Sequence, residues 1–576
     1  MSNKPYKSFS PAWVDKPAPE NSFRSIFRWG NPTYNKWPKE KLFAMIKETF
    51  HMTDEDFKHY DGSIGLDPVQ YDIPCTLAPE HIAFFKTIVG NEFVRTDNYA
   101  RLSVAYGKTM YDVLRLRQKI VENIPNAVLY PDTREQIEAV VSYCSKHKIP
   151  VYVYGGGSSV TRGVECMKGG ISLDMRLRFN KVIEFNEIDQ TITVQAGMSG
   201  PKLEETLNNA KKLYNAKRAY TCGHFPQSFE YSSVGGWVVT RGAGQNSTYY
   251  GKIEDIVLRQ KYATPIGNIT TSPYSREATG PSLNHIMMGS EGAFGVLTDV
   301  TLRVFRLTKE NRQNFSFMFK SWDIAQQATR EMMQCEAGLA SVFRLSDPEE
   351  TDVMLHLYGV SESPIAKVFA AKGFKPMERC LFLGWSEGEK GFAKNVAKNI
   401  KKIARKFGGM SLTGLVTKSW EGGRFTDPYL RDSMQDFGIL TDTLECSVNW
   451  SNMNQVHDDV RKYCHSRPDT IVTTHLSHAY PQGANLYFIF ITKMNDINDY
   501  LAYHSGILDA IQKSGASMSH HHGIGKMFGP WLEGSMGKLE YSIFRVLKNH
   551  FDPDNIMNPG GTLGLDTPEA KKHFPK

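Results

Sequence analysis

"GHFPQSFEYSSVGGWVVTRGAGQNSTYYGKIEDIV", residues 223–257, is the stretch on which the fold turns. It gathers Ser232, Ser233, Gly235, Gly236, Thr240, Arg241, Gly242 and Gly244 among β-forming residues. Glycine leaves backbone N–H groups uncovered by a Cβ, and hydroxyls add further donors and acceptors. The pattern suits a long ligand lying flat against the backbone, with one guanidinium beside it. Taken alone, such a stretch is also explained by ordinary turns.

Two neighbouring segments repeat the logic. Upstream, "PDTREQIEAVVSYCSKHKIPVYVYGGGSS" (131–159) opens with Asp132 three residues before Glu135, a capping-box spacing. Ile137, Val140, Val141 and Cys144 then fall on one helical face, and after Pro150 a short β run, Val151 to Tyr154, ends in three glycines. This loop is neither G-x-G-x-x-G nor a P-loop, since it lacks the third glycine and the lysine. Downstream, "GSEGAFGVLTDV" (289–300) leads into a run where Val296, Thr298, Val300, Leu302 and Val304 alternate, which predicts a half-buried strand. Between them lie short strands in "GISLDM" (170–175) and "KVIEFNEIDQTITVQAG" (181–197), and a helix from Pro201 in "GPKLEETLNNAKKL" (200–213). Three glycine loops in order within one α+β region are poorly explained as unrelated turns.

At 576 residues the chain exceeds one ordinary core, and two or three packed units are expected. Residues 1–120, including a helix in "KWPKEKLFAMIKETF" (36–50), read as largely helical and irregular; 121–305 hold the loops; 306–525 read as a second α+β unit; and 526–576 end in a helix stopped by Asp-Pro. The fold class is therefore α+β. Composition is that of a globular protein, 41% hydrophobic and 22% charged, and no run approaches the roughly 20 apolar residues needed to span a bilayer. A net charge of +7 suits phosphate-bearing ligands or an anionic membrane surface and calls for no nucleic-acid partner. In "NVAKNIKKIARKFGG" (395–409), Val396, Ile400, Ile403 and Phe407 share a face opposite lysines, as an ordinary solvated helix does. Eight cysteines without C-x-x-C pairs fit a reducing compartment. The amino terminus, "MSNKPYKSFSPAWVDKPAPENSF", lacks an apolar signal core, and the carboxy terminus, "AKKHFPK", is no peroxisomal address, so a cytoplasmic protein is expected.

One further segment, "SMSHHHGIGK" (517–526), places His520, His521 and His522 in a row. On an extended segment only positions two apart share a face, so at most His520 and His522 would point together, and a metal would need ligands from elsewhere.

The order and wording of these motifs, closed by "DPDNIMNPG" (552–560), resemble the flavin-binding fold of the vanillyl-alcohol oxidase superfamily. That resemblance implies an FAD domain in two α+β halves and a cap domain carrying the substrate site. It assigns FAD contacts to Val153, Tyr154, Gly155, Gly156, Gly157, Ser158, Ser159 and Val160; to Ser228, Glu230, Ser232, Ser233, Gly235 and Gly236; to Thr240, Arg241, Gly242 and Ala243; and to Glu291, Gly292, Ala293, Gly295, Val296 and Leu297. Some relatives bond the flavin through a histidine in the first loop; 154–160 has none, so reversible binding is expected.

Within the superfamily, dehydrogenases of 2-hydroxy acids typically carry "HxGDGNLH" and "GEHGIG", which hold a divalent metal. Here the corresponding stretch is "YPQGANLYF" (480–488), with Tyr480 and Tyr487 in place of the two imidazoles and His521 in place of the carboxylate. A phenol is a poor metal ligand at neutral pH, and His475 and His478 nearby have the wrong spacing, so no metal is expected. The pattern is instead similar to the alkylglycerone-phosphate synthase family: "CGHFPQSFEYSSVGGW" (222–237), "SHHHGIGK" (519–526), "RWG" (28–30), "YLRD" (429–432) and "IPNAVLYPDT" (124–133). Membership implies exchange of the acyl group of acyl-dihydroxyacetone phosphate for a long-chain alcohol, with FAD oxidised at the start and the end. It further implies Tyr487 as the acid/base residue, His520, His521 and His522 as neighbours that favour its anion and relay protons, and Arg431, His224 and Arg344 (in "FRLSD") at the substrate. A peripheral membrane contact and a homodimer are compatible with it, and an FAD oxidoreductase on a hydroxy acid or alcohol is the alternative. The chain departs from the family at Phe225, where an acidic residue is usual, and in "TRGAG" where eukaryotic members have "TRASG".

Overall fold

The computed structural model describes residues 16–566 apart from positions 32, 275 and 362. The terminal readings made on residues 1–15 and on "AKKHFPK" lie outside the described residues. Three strands, Ala127–Leu129, Ile171–Asp174 and Val151–Tyr154, pair in parallel, and Val94–Arg95 joins antiparallel at the edge. Helix Arg134–His147 covers this sheet with Ile137, Val140, Val141 and Cys144, all buried, as the helical period predicts. Its cap differs from the expected box by one residue. Thr133 accepts from Gln136 N, while Gln136 Oε1 accepts from Asp132 N at 2.7 Å, and the Asp132 carboxylate is drawn to Lys181 Nζ, also at 2.7 Å.

A second, antiparallel sheet runs in the order Val182–Asn186, Thr191–Gln195, Val296–Arg303, Val257–Thr264, Gly267–Thr270. Its central strand corrects the half-buried reading. Val296 to Val300 are buried on both faces and the alternation appears only from Thr301 onward, because Leu297 and Asp299 face other parts of the protein rather than water. The helix read from Pro201 runs Gly200–Asn208 and breaks before Ala210–Tyr214.

The third sheet has seven antiparallel strands, ordered Met410–Ser411, Gln313–Phe319, Cys380–Ser386, Val342–Ser346, Ile471–Ser477, Gly483–Lys493, Ile439–Asn449. Strand side chains alternate between faces. Leu440, Leu444, Leu486, Phe488, Phe490 and Val472 enter one large core beneath helices Trp322–Gln334, Lys390–Lys406, Met453–Cys464 and Ile497–Lys513. Their neighbours Thr441, Thr443, Tyr487, Ile489, Ile491, Thr473 and His475 face the opposite way, onto a cavity. Val396, Ile400 and Ile403 of the lysine-rich helix are buried in that core, so its charged face is the solvated side.

The region before residue 120 is shared between cores. Phe85, Val89 and Val94 pack with the parallel sheet, whereas Phe23, Phe27, Tyr106 and Met110 pack with the seven-stranded sheet. Arg24 and Arg117 both reach buried Asp436, each at 2.8 Å. At the other end, Val151 N donates to Ile556 O and Asn558 N donates to Val151 O, returning the carboxy-terminal segment to the parallel sheet.

Candidate active site

A cavity of about 520 Å3 lies between the two smaller sheets and the seven-stranded one, within the range of roughly 300–1,000 Å3 usual for small-molecule sites. The glycine loops form one wall. Gly156 packs so closely on the second loop that an added Cβ would overlap the Tyr231 carbonyl and sit 2.5 Å from Ser232 Cα. Gly157 follows with φ +67°, a left-handed conformation costly for a residue with a side chain. Ser233 caps helix Val234–Val239, and Ser232 Oγ accepts from Trp237 Nε1 at 2.8 Å. The result is a cradle of close-set backbone, shaped for the extended anionic ligand that the sequence suggests.

Of the residues assigned to the cofactor, Val153, Gly155 to Val160, Ser228, Ser232, Ser233, Gly235, Gly236, Thr240, Gly242, Ala243, Glu291, Gly292, Gly295 and Leu297 line the cavity. Five do not. Tyr154 is buried beneath the loop with Arg176 over its ring, and Glu230 accepts from Tyr429 Oη at 3.3 Å. Arg241 turns outward to Glu254 at 3.2 Å, and Ala293 and Val296 belong to the cores behind the wall. Glu291 also fastens the histidine segment, whose end it clamps: its carboxylate accepts from Ile524 N at 2.7 Å and from Gly525 N at 2.6 Å. Burial raises its pKa to about 7 against those two hydrogen bonds.

The histidine segment is not extended. It winds around Glu445, whose wholly buried carboxylate accepts from His520 N at 2.8 Å, from His521 N and His522 N at 3.0 Å, from Ser519 Oγ at 2.6 Å and from Asn485 Nδ2 at 2.7 Å. The turn brings His520 and His521 together, Nδ1 to Nδ1 at 3.1 Å, which overturns the expectation that only His520 and His522 could share a face. His478 joins them, and its Nε2 makes no hydrogen bond among the described residues. Donor atoms of His478, His520 and His521 lie within 4.8 Å of one another, as do those of Glu445, His521 and His522. Spacing alone therefore does not exclude a metal. The Glu445 group is poorly suited to one all the same, because its oxygens are already filled by five donors.

Tyr487 stands opposite Glu445 in strand register and stacks on His475, with ring centroids 4.9 Å apart. Its hydroxyl donates to Thr443 Oγ1 at 3.0 Å, and the rings of His521 and His522 lie 6.0 and 5.4 Å away. Burial pushes the phenol well above its ordinary pKa, the Thr443 hydrogen bond offsets part of this, and Glu445 and Asp442 add to it. Burial likewise holds His520 at about 3 and His521 and His522 below their ordinary values. The expectation that the imidazoles favour the tyrosine anion is thus corrected: desolvation outweighs it, and the site rests as a neutral phenol beside uncharged imidazoles. Burial raises Glu445, and the Ser519 hydrogen bond, with the charge of His521, His522 and His520 when they are protonated, outweighs it and holds the carboxylate below its usual range.

Arg431 lines the cavity with Nη1 donating to Lys108 O at 2.7 Å, while its buried Nε and Nη2 make no hydrogen bond among the described residues. Asp432 Oδ1 lies 3.5 Å from that Nε. Arg344 also lines the cavity, but its charge is already met by Glu350 at 2.9 Å, which in turn contacts His475 Nδ1 at 3.0 Å. Arg344 thus holds Glu350, while its buried Nε makes no hydrogen bond among the described residues. His224 sits behind the wall against Trp237, with burial lowering its pKa to about 3, and His520 is one layer back, bonded through Nε2 to Tyr480 Oη at 3.0 Å. Sequence reasoning missed Glu445, although a lone acid in step with Thr441 and Thr443 along "ILTDTLECSVN" is a detectable signal. It also missed Lys252, which donates to His520 O at 2.8 Å, and the buried Arg424 in the cavity wall.

A cradle of interlocked glycine loops facing a sheet-borne acid–base cluster defines a two-part flavoprotein. Residues 125–272 match the FAD binding domain family, and residues 308–562 match the C-terminal domain of FAD linked oxidases. The chain is 28% identical over 552 residues to alkyldihydroxyacetonephosphate synthase of Dictyostelium discoideum, spanning 92% of this chain and 88% of that protein. A solved alkyldihydroxyacetonephosphate synthase structure superposes with a TM-score of 0.75 at 26% identity, covering 90% of this chain and 92% of the other. p-Cresol methylhydroxylase, at 16% identity and a TM-score of 0.64, shares the fold. The protein is an FAD-binding flavoenzyme built of these two domains, and over most of its length it is similar to alkyldihydroxyacetonephosphate synthases.

Proposed function

We propose that the protein exchanges the acyl group of an acyl-dihydroxyacetone phosphate for a long-chain alcohol. The exchange breaks one carbon–oxygen bond, forms another and releases a carboxylate, so it is redox-neutral overall. The observation that carries this reading is Tyr487: a half-buried phenol in the wall of the FAD cavity, beside imidazoles whose pKa burial lowers. Bound FAD supplies a polarisable, electron-accepting ring at which the three-carbon unit is activated. The side chains move the protons. The reaction needs one proton taken from the carbon beside the ketone and later returned, and a neutral imidazole has a nitrogen free to accept it. His522 Nδ1 makes no hydrogen bond among the described residues, which leaves it open for that exchange with Tyr487. Arg431 offers Nε and Nη2, neither of which makes a hydrogen bond among the described residues, to the departing carboxylate. Leu42, Met45, Val353, Met354 and Leu357 add an apolar wall suited to an alkyl chain.

A cytoplasmic protein in peripheral contact with a membrane, acting as a homodimer, accords with long-chain substrates. All eight cysteines are free, and among the described residues no helix is long and apolar enough to cross a membrane.

The test is anaerobic incubation of the yellow protein with palmitoyl-dihydroxyacetone phosphate and hexadecanol. Ether product with the flavin absorbance unchanged supports the reading. Bleaching by a 2-hydroxy acid without ether product would overturn it. The His478, His520 and His521 grouping favours that second, oxidoreductase reading if elemental analysis finds a stoichiometric divalent ion.

A further inference from the structure

Arg424 is only 8% exposed, yet it has no carboxylate within ion-pair distance among the described residues. The two nearest acids are taken: Arg312 holds Glu387 at 2.8 Å and Glu421 at 2.5 Å. What surrounds the Arg424 guanidinium is aromatic, with Phe425, Trp385, Phe225 and Trp420 centred 4.6, 5.4, 5.7 and 5.9 Å from Cζ. Nη1 makes one long hydrogen bond, 3.3 Å, to Asn246 Oδ1, and buried Nε makes none. Burial, only partly offset by Glu421 and Glu387, lowers the guanidinium to about 10. An uncompensated buried charge is destabilising, and a cation held against that penalty at a cavity wall is a receptor for an anion.

We infer that Arg424 is the phosphate receptor of this cavity, taking the phosphomonoester end of the substrate while Arg431 takes the carboxylate. The inference rests on the proposed function for the identity of the phosphate carrier, and on the geometry for the receptor. The substrate has one anion that stays and one that leaves; of the three cavity guanidiniums with an N–H that makes no hydrogen bond, Arg344 is held by Glu350, which leaves Arg424 and Arg431. Arg431 acts electrostatically on Asp442, the neighbour of the Thr443 that anchors Tyr487, which puts it at the reacting end. Arg424 instead reaches Asn246, in the second loop stretch.

The test titrates the FAD-loaded protein calorimetrically with dihydroxyacetone phosphate and, separately, with hexanoate. Arg424→Gln should weaken the phosphate ester roughly 10- to 100-fold and leave hexanoate within about threefold, the loss expected for a charge-assisted pair. Arg431→Gln should do the reverse, and Arg424→Lys should recover part of the phosphate binding. Wild-type protein that does not bind dihydroxyacetone phosphate, or Arg424→Gln that binds it unchanged, would overturn the inference. So would equal weakening of both ligands, or loss of flavin, which would assign the guanidinium to the cofactor. Failure of the proposed function reads differently: wild-type protein makes no ether product whatever Arg424 does to phosphate affinity.

Discussion

Glu445 and Tyr487 face each other across two strands, and the chemistry of each is set by what surrounds it. Glu445 organises three consecutive backbone N–H groups that a glutamine amide could not all satisfy. Glu445→Gln is expected to cost about 2–4 kcal/mol, as breaking a buried charged network does, and to disorder the histidine turn. Thermal unfolding and turnover should fall together while flavin content is kept. Tyr487→Phe removes one hydroxyl with one hydrogen bond to Thr443, so unfolding should shift by only about 1 kcal/mol. Turnover should drop at least about 100-fold, the scale of lost acid–base catalysis, and residual activity near wild type would refute the role. Tyr487 is legible in sequence through the phenol-for-imidazole exchange. Its raised pKa is not, because that depends on burial by residues remote in sequence.

The glycine loops work as a unit. Gly156→Ala should fail to hold flavin, since the new methyl meets fixed backbone of the second loop rather than a movable side chain. Absorbance of the purified variant near 450 nm (an approximate flavin maximum) against protein content measures this, and wild-type occupancy would contradict the cradle. The absence of histidine from 154–160 leads to another expectation: heat or acid denaturation of the holoprotein should release the flavin to the supernatant. Elements such as helix Arg134–His147 and strand Val151–Tyr154 are legible because their signals, period and punctuation, are local. The cap at Thr133 is missed by one residue, because Asp132 had a competing partner in Lys181. The division of residues 16–120 among several cores is illegible for a stronger reason: Arg24 and Arg117 find Asp436 more than 300 positions away.

Across the whole molecule, buried neutral histidines couple stability to acidity. His224, His504 and His520 are held at about 3, below the unfolded value of 6.5, chiefly by burial. Their contribution is complete above pH 6.5 and is lost as pH falls toward 3, since the unfolded chain binds the protons first. Each adds up to about 1.4 kcal/mol per pH unit across that window, so melting temperature should decline steadily from about pH 6 downward. A flat profile to pH 4 would show that these rings are reached by water. The largest consequence concerns the histidine turn, which is gripped from opposite sides: by Glu445 of the seven-stranded sheet at its start and by Glu291 of the third glycine loop at its end. The proton-handling side chains all come from the later half of the polypeptide, yet their turn is fastened by an acid of the earlier half, so a fragment without residue 291 would keep the groups and lose their setting.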